Sequence, residues 1–156
     1  MNSNTADELG SIFTGALTEV ILKTTGFLLE DLQADRAAEY AEFRDIVGAM
    51  SLNSKKSGML FVSADERCLR VLCSYFIGVP IKDITRDDLL DALCELVNMT
   101  AGNAKISLSD PDYMYSLSSP FAISGIGLSI DFKKRTNVIS RVLSNGDISV
   151  KIAIVY

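Results

Sequence analysis

A chain of 156 residues, 48% of them hydrophobic, is long enough for one domain spanning 1–156 and for removing about two thirds of its unfolded surface from water. A formal charge of −5 argues against a nucleic-acid binder, which would concentrate Lys and Arg on one face. Histidine is absent, so a serine triad, a Cys–His dyad and a His-based zinc site are impossible within the chain.

No apolar run reaches eighteen residues, and the opening MNSNTADELG lacks a basic segment followed by an apolar one. A cytoplasmic protein with no membrane contact is therefore the expectation. Cys68, Cys73 and Cys94 have no C-x-x-C spacing and sit among Leu and Val, as buried structural thiols do. The basic cluster Lys133, Lys134 and Arg135 reads as a solvated turn.

From Ala6 to about Gln33 apolar residues recur at intervals of three and four, the helical period. EYAEFRDIVGAMSLNS and SGMLFVSA have strand composition and flank the polar NSKKSG, which predicts an antiparallel hairpin. Ser63, with Glu66 three residues on, predicts the cap of a second helix that Gly78 ends. Thr85 predicts the cap of a third helix running to about Leu108, with Asp87 and Asp88 against the positive end of its dipole. SDPDYMYSLSSPFAISG, rich in serine and carrying two prolines, reads as a loop. TNVISRVLSNGDISVKIAIVY reads as a second hairpin, with Asn145 and Gly146 supplying the positive φ angles of a tight primed turn.

The order contains a repeat. ALTEVILKTTG, from Ala16 to Gly26, aligns with ALCELVNMTAG, from Ala92 to Gly102, matching Ala, Leu, Glu, Thr and Gly. Each copy precedes a hairpin, so the chain divides into related halves at about 6–63 and 86–156. Where the second copy has Asn98, the first has Leu22.

On the third helix Asp88, Asp91, Glu95, Asn98, Gly102 and Lys105 fall along one stripe, opposite Leu89, Leu90, Leu93, Leu96, Val97, Ala101 and Ala104, which are expected in the core. Glu95 and Asn98, three residues apart, have side chains close enough to engage one small target. Asparagine and glycine are weak helix formers, and glycine leaves the backbone open to close approach. E-x-x-N is a weak pattern by itself. Its plainer reading is a solvated pair, with Gly102 packing against a neighbouring element.

The run from Asp91 through Glu95 and Asn98, continuing as MTAGNAK, resembles the signature of the CheC/CheX family of bacterial chemotaxis phosphatases, the CheX type in particular. The likeness extends through SGMLFVSADERCLRVLCSYFIG, SSPFAISG and SNGDISVKIAIVY, and Pro120 falls near the place of a family proline. CheC-type members carry one site per half and CheX-type members keep only the second, which Leu22 matches.

The resemblance implies a hydrolase that removes phosphate from the aspartate of a CheY-like response-regulator receiver. Asn98 would orient the attacking water and Glu95 would dock to the receiver's lysine, both as catalytic-site residues. Asp91 would be a binding residue that extends the acidic docking surface, or else a charge placed favourably near the helix N-terminal region, and Gly102 would be a binding residue. No cofactor would be held by this chain, magnesium being expected in the receiver, and a homodimer joined through the sheet would be its assembly. The alternative is a non-catalytic receiver-binding or scaffold module of a chemotaxis or flagellar-switch pathway. A nucleotide site at SGIGLS has little support, since the third glycine and its helix are missing.

The fold class expected is α/β, of α+β type: a mainly antiparallel sheet from two hairpins, packed against long helices. The apolar last strand, if it lay at an edge, would invite pairing with a second chain.

Overall fold

The computed structural model describes residues 3–32, 40–131 and 137–156. In chain order it contains α1 (Ser3–Thr25), β1 (Glu30–Asp31), β2 (Tyr40–Glu42), β3 (Ile46–Asn53), β4 (Gly58–Ala64) and α2 (Glu66–Ile77). A 3-10 turn at Ile81–Asp83 leads to α3 (Arg86–Ser107), β5 (Ser116–Leu117), β6 (Phe121–Ser124), β7 (Ser129–Asp131), β8 (Val138–Ser144) and β9 (Ser149–Val155). The expected α/β arrangement with a mainly antiparallel sheet is the one observed.

Seven strands form the main sheet in the order β1-β8-β9-β4-β3, with β5 and β6 both pairing along the outer side of β3. Alternation along the strands sorts the side chains onto two faces. Ile46, Met50, Leu60, Val62, Ile152 and Ile154 join the helices in the principal core. Val47, Ala49, Phe61, Ala153 and Val155 form a smaller cluster on the far face, where Phe43, Leu128 and Ile130 from around the β2-β7 ribbon pack onto it.

Several local expectations change. α1 ends at Thr25, not near Gln33, because Gly26 takes the left-handed conformation at φ 79° and Leu29 turns back into the core. α2 is capped by Asp65, whose carboxylate accepts the Cys68 amide at 2.8 Å. Ser63 is two residues too early: it lies fully buried in β4, paired opposite Lys151. The segment read as a loop after α3 contributes β5 and β6, whose few residues add to the edge of β3 and whose hydroxyl Ser118 Oγ accepts the Ser51 amide. The last hairpin closes through four residues, 145–148, in place of a two-residue turn. Gly146 has φ 94°, and Asn145 Oδ1 accepts the amides of Asp147 and Ile148. The Lys133–Arg135 cluster lies outside the described residues.

β9 is interior, flanked by β8 and β4, so it offers no edge to a second chain. Among the described residues the sheet's ends are β1, which is short and acidic, and the β5/β6 side, where Phe121 and Ile123 are 44% and 39% exposed.

α3 sits directly on β3. A Cβ placed on Gly48 would lie 2.7 Å from Val97 Cγ2 and 2.9 Å from Leu93 Cγ, so only glycine admits the helix this close to the strand. Gly48→Ala is therefore expected to lower stability by about 1–3 kcal/mol as the core is overpacked. A urea-unfolding series checks this, and an unchanged midpoint would show that α3 can lift without cost.

Candidate functional site

The site is one face of α3, and the helix is fixed at its start by a complete capping box. Thr85 Oγ1 accepts the Asp88 amide at 3.2 Å, and Asp88 Oδ2 accepts the Thr85 amide at 2.8 Å and its hydroxyl at 2.7 Å. Those bonds from the Thr85 hydroxyl and amide hold the Asp88 carboxyl below its usual range. Asp88 thus belongs to the cap, although it begins the polar stripe. The helix starts at Arg86, which puts Asp91 beyond the first turn, where the dipole's effect has faded.

The core side of α3 is buried as its periodicity predicts at Leu89, Leu93, Leu96, Val97, Ala101 and Ala104, whereas Leu90 lies at the margin, half-buried against the same core. Ala92 and Thr100 are buried with them, Thr100 returning its hydroxyl to the Leu96 carbonyl at 2.7 Å. Met99 packs against the same core from the flank. Cys94, half-buried, has its thiol pushed up by burial first and by the Asp91 charge second. That keeps it protonated and a poor nucleophile.

On the opposite side Asp91, Glu95 and Lys105 are exposed, and Asn98 and Gly102 half-exposed. The stripe therefore faces outward. Asn98 Nδ2 lies 3.5 Å from Glu95 Oε2, at the outer limit of a hydrogen bond, so the amide remains available to a visitor. Among the described residues no cation stands within ion-pair distance of Glu95. Gly102 has nothing within 4 Å of the place its Cβ would occupy. It does not pack against a neighbouring element, and the helix forgoes about 1 kcal/mol relative to alanine there.

The first copy of the repeat makes the comparison within the same molecule. Thr24 returns its hydroxyl to the Val20 carbonyl at 2.8 Å, as Thr100 does to Leu96. Glu19, at the place of Glu95, is engaged by Lys23 one turn on, where α3 has Met99. Leu22, at the place of Asn98, is 42% exposed. α1 keeps the scaffold of the motif with its acid occupied and its amide replaced. Between the two helices opens a cleft of 560 Å³ with a mixed lining, Ser11, Ile12, Ala16 and Glu19 from α1 and Asn103 and Ser107 from α3 among it.

The arrangement brings together an exposed carboxylate, a half-exposed carboxamide in long contact with it and bare backbone on one helix. It can accept a cation at Glu95 and steer a water at Asn98. Among the described residues no group of three or more Cys, Asp or Glu side chains could hold a metal ion, and no helix is long and apolar enough to cross a membrane. Sequence periodicity found the stripe. It did not find Tyr115, whose hydroxyl donates to the Ala101 carbonyl from beneath α3, because a buried tyrosine in a serine-rich segment has no periodic signal.

An antiparallel sheet covered by a long helix that carries an outward acid–amide pair defines the class: an α+β domain with its candidate site on a helix face. The family model for the chemotaxis phosphatase CheX matches residues 46–143, and the chain belongs to that family. No protein of curated function matches it.

Solved structures share the fold at low identity. A chemotaxis protein CheX from Desulfovibrio desulfuricans is 21% identical, with a TM-score of 0.78 over 94% of this chain and 97% of that one. A CheC-like superfamily protein from Shewanella sp. PV-4 is 22% identical, with a TM-score of 0.79 over 99% and 98%. A chain of the CheX–CheY–BeF3–Mg complex from Borrelia burgdorferi is 16% identical, with a TM-score of 0.70 over 92% and 94%.

Proposed function

We propose that this chain, acting as one domain over 1–156, hydrolyses the aspartyl phosphate of a CheY-like receiver at the outward face of α3. The observation that carries the reading is an exposed Glu95 and a half-exposed Asn98 one turn apart on the outward face of α3, with the amide held only by a 3.5 Å contact. Family membership and the fold shared with a CheX chain solved together with CheY support it.

An acyl phosphate is a high-energy mixed anhydride. Its hydrolysis requires in-line attack by water on phosphorus, cleavage of the acyl P–O bond and departure of the carboxylate, with the water proton passing to the released phosphate. Positioning and electrostatics supply most of the acceleration in such transfers. Asn98 suits the positioning role, since its carboxamide both donates and accepts hydrogen bonds and orients water without being a strong base. Glu95 is repelled by the phosphoryl group and attracted to the receiver's lysine, so it docks the helix. Magnesium belongs to the receiver's own site.

Asp91, exposed one turn before Glu95 and beyond the reach of the helix dipole, extends the acidic docking surface. Gly102, bare on its outer side, lets the receiver's loops approach the backbone. The assembly proposed is a homodimer, and with β9 interior the edge available to it is β6. Phe121 and Ile123 there are partly exposed and carry no charge that would deter strand pairing.

Asn98→Ala is expected to lose on the order of a hundredfold in the dephosphorylation rate, by analogy with removing one positioning donor elsewhere. Single-turnover decay of a phosphorylated receiver with its binding curve measured alongside checks this, and undiminished decay refutes the assignment. Glu95→Ala is expected to weaken complex formation, most visibly at low salt; unchanged affinity with unchanged salt dependence would leave Glu95 a surface residue. Light scattering is expected to return the mass of two chains, and a stable monomer would contradict pairing through β6.

A further inference from the structure

Tyr115 lies in the segment between α3 and β6 and is 4% exposed. Its ring stacks on Phe13 of α1, with centroids 6.0 Å apart and planes at 24°. Its hydroxyl donates a buried hydrogen bond of 2.7 Å to the Ala101 carbonyl. That acceptor lies inside α3, where a regular helix already assigns it to the Lys105 amide. The carbonyl has two lone pairs, and the tyrosine takes the second.

The point of attachment lies beside the reactive turn. Helix geometry joins the Asn98 carbonyl to the Gly102 amide, so residues 98–102 form the turn that carries the carboxamide. Gly102 is the weakest helix former in α3, and no neighbouring atom supports it on its outer side. Surface helices curve as solvent-side carbonyls tilt outward and their bonds lengthen. A donor on the fully buried Ala101 carbonyl pulls on the core side and acts against that curvature. The tyrosine is itself firmly held. Tyr113, two residues earlier, is 5% exposed, meets the Tyr156 ring edge to face at 5.8 Å and carries Lys56 Nζ at 4.7 Å over its own ring. Burial raises the Tyr115 phenol well above its ordinary range, so it remains a donor at any working pH.

We propose that Tyr115 is a positioning residue, whose hydroxyl, bonded to Ala101, holds the 98–102 turn in the geometry from which Asn98 places water on the receiver phosphate. This rests on the phosphatase reading above. Tyr115→Phe keeps the ring against Phe13 and removes only the bond. At saturating receiver its kcat is expected to fall about fivefold to tenfold, since small misplacements of positioning groups are costly. Its affinity for a beryllofluoride-loaded receiver should stay within twofold of wild type, and hydrogen exchange at the Gly102 and Lys105 amides of the free protein should quicken severalfold. A kcat within twofold of wild type overturns the proposal, as does unchanged exchange at both amides. So does a lowered urea midpoint with kcat per folded molecule unchanged, the result a purely structural role gives. Wild-type protein that fails to hasten receiver dephosphorylation refutes the phosphatase reading itself. Unchanged exchange in the variant refutes the role of Tyr115 alone.

Discussion

The close seating of α3 on β3 at Gly48 governs the rest of the molecule. Val97 and Leu93 occupy the space a side chain would take, so the helix is fixed in height and in rotation about its axis. Once Leu89, Leu93, Val97, Ala101 and Ala104 are committed to the sheet, helical geometry leaves Asp91, Glu95, Asn98 and Gly102 facing outward. The cap at Thr85 and Asp88 fixes where the helix begins, and the Tyr115 bond ties its second half to the segment beyond. Polar residues that give up helix stability are thereby presented from a helix that cannot turn them inward.

The repeat shows how one scaffold serves two ends. In both helices a threonine, half-buried in α1 and buried in α3, returns its hydroxyl to the carbonyl four residues back, and an exposed glutamate precedes it by five residues. In α1 the glutamate is satisfied by Lys23 and the following turn carries Leu22. In α3 the lysine's place is taken by Met99, which packs inward, and the leucine's place by Asn98. The difference between a structural helix and a candidate reactive one thus comes down to two side chains on a common frame.

The helices and the two principal hairpins could be read from the sequence because their signals are periodic and local. Thr85 and Gly78 act through neighbours three or four residues away, and both take the positions their chemistry predicts. The stripe on α3 could be read for the same reason. Other features depend on partners far along the chain. Ser63 looked like a cap, but its pairing with β9 keeps it in a strand and passes the role to Asp65. β5 and β6 have loop composition and become strands only because β3 offers them an edge. β9 ends the described chain yet lies inside the sheet, since β4 is a long-range partner that composition cannot announce. Tyr115 is the clearest case, as its meaning comes entirely from Ala101 on another element.

The central claim is that Asn98 presents an amide to a water poised on another protein's acyl phosphate. A crystal structure of this protein with a receiver held in its beryllofluoride and magnesium form tests it most directly. The account predicts the α3 stripe set into the receiver's active site, with the Asn98 carboxamide within about 3 Å of the in-line water position and Glu95 against the receiver's lysine. A receiver bound to a different face, with Asn98 left in open solvent, would contradict it.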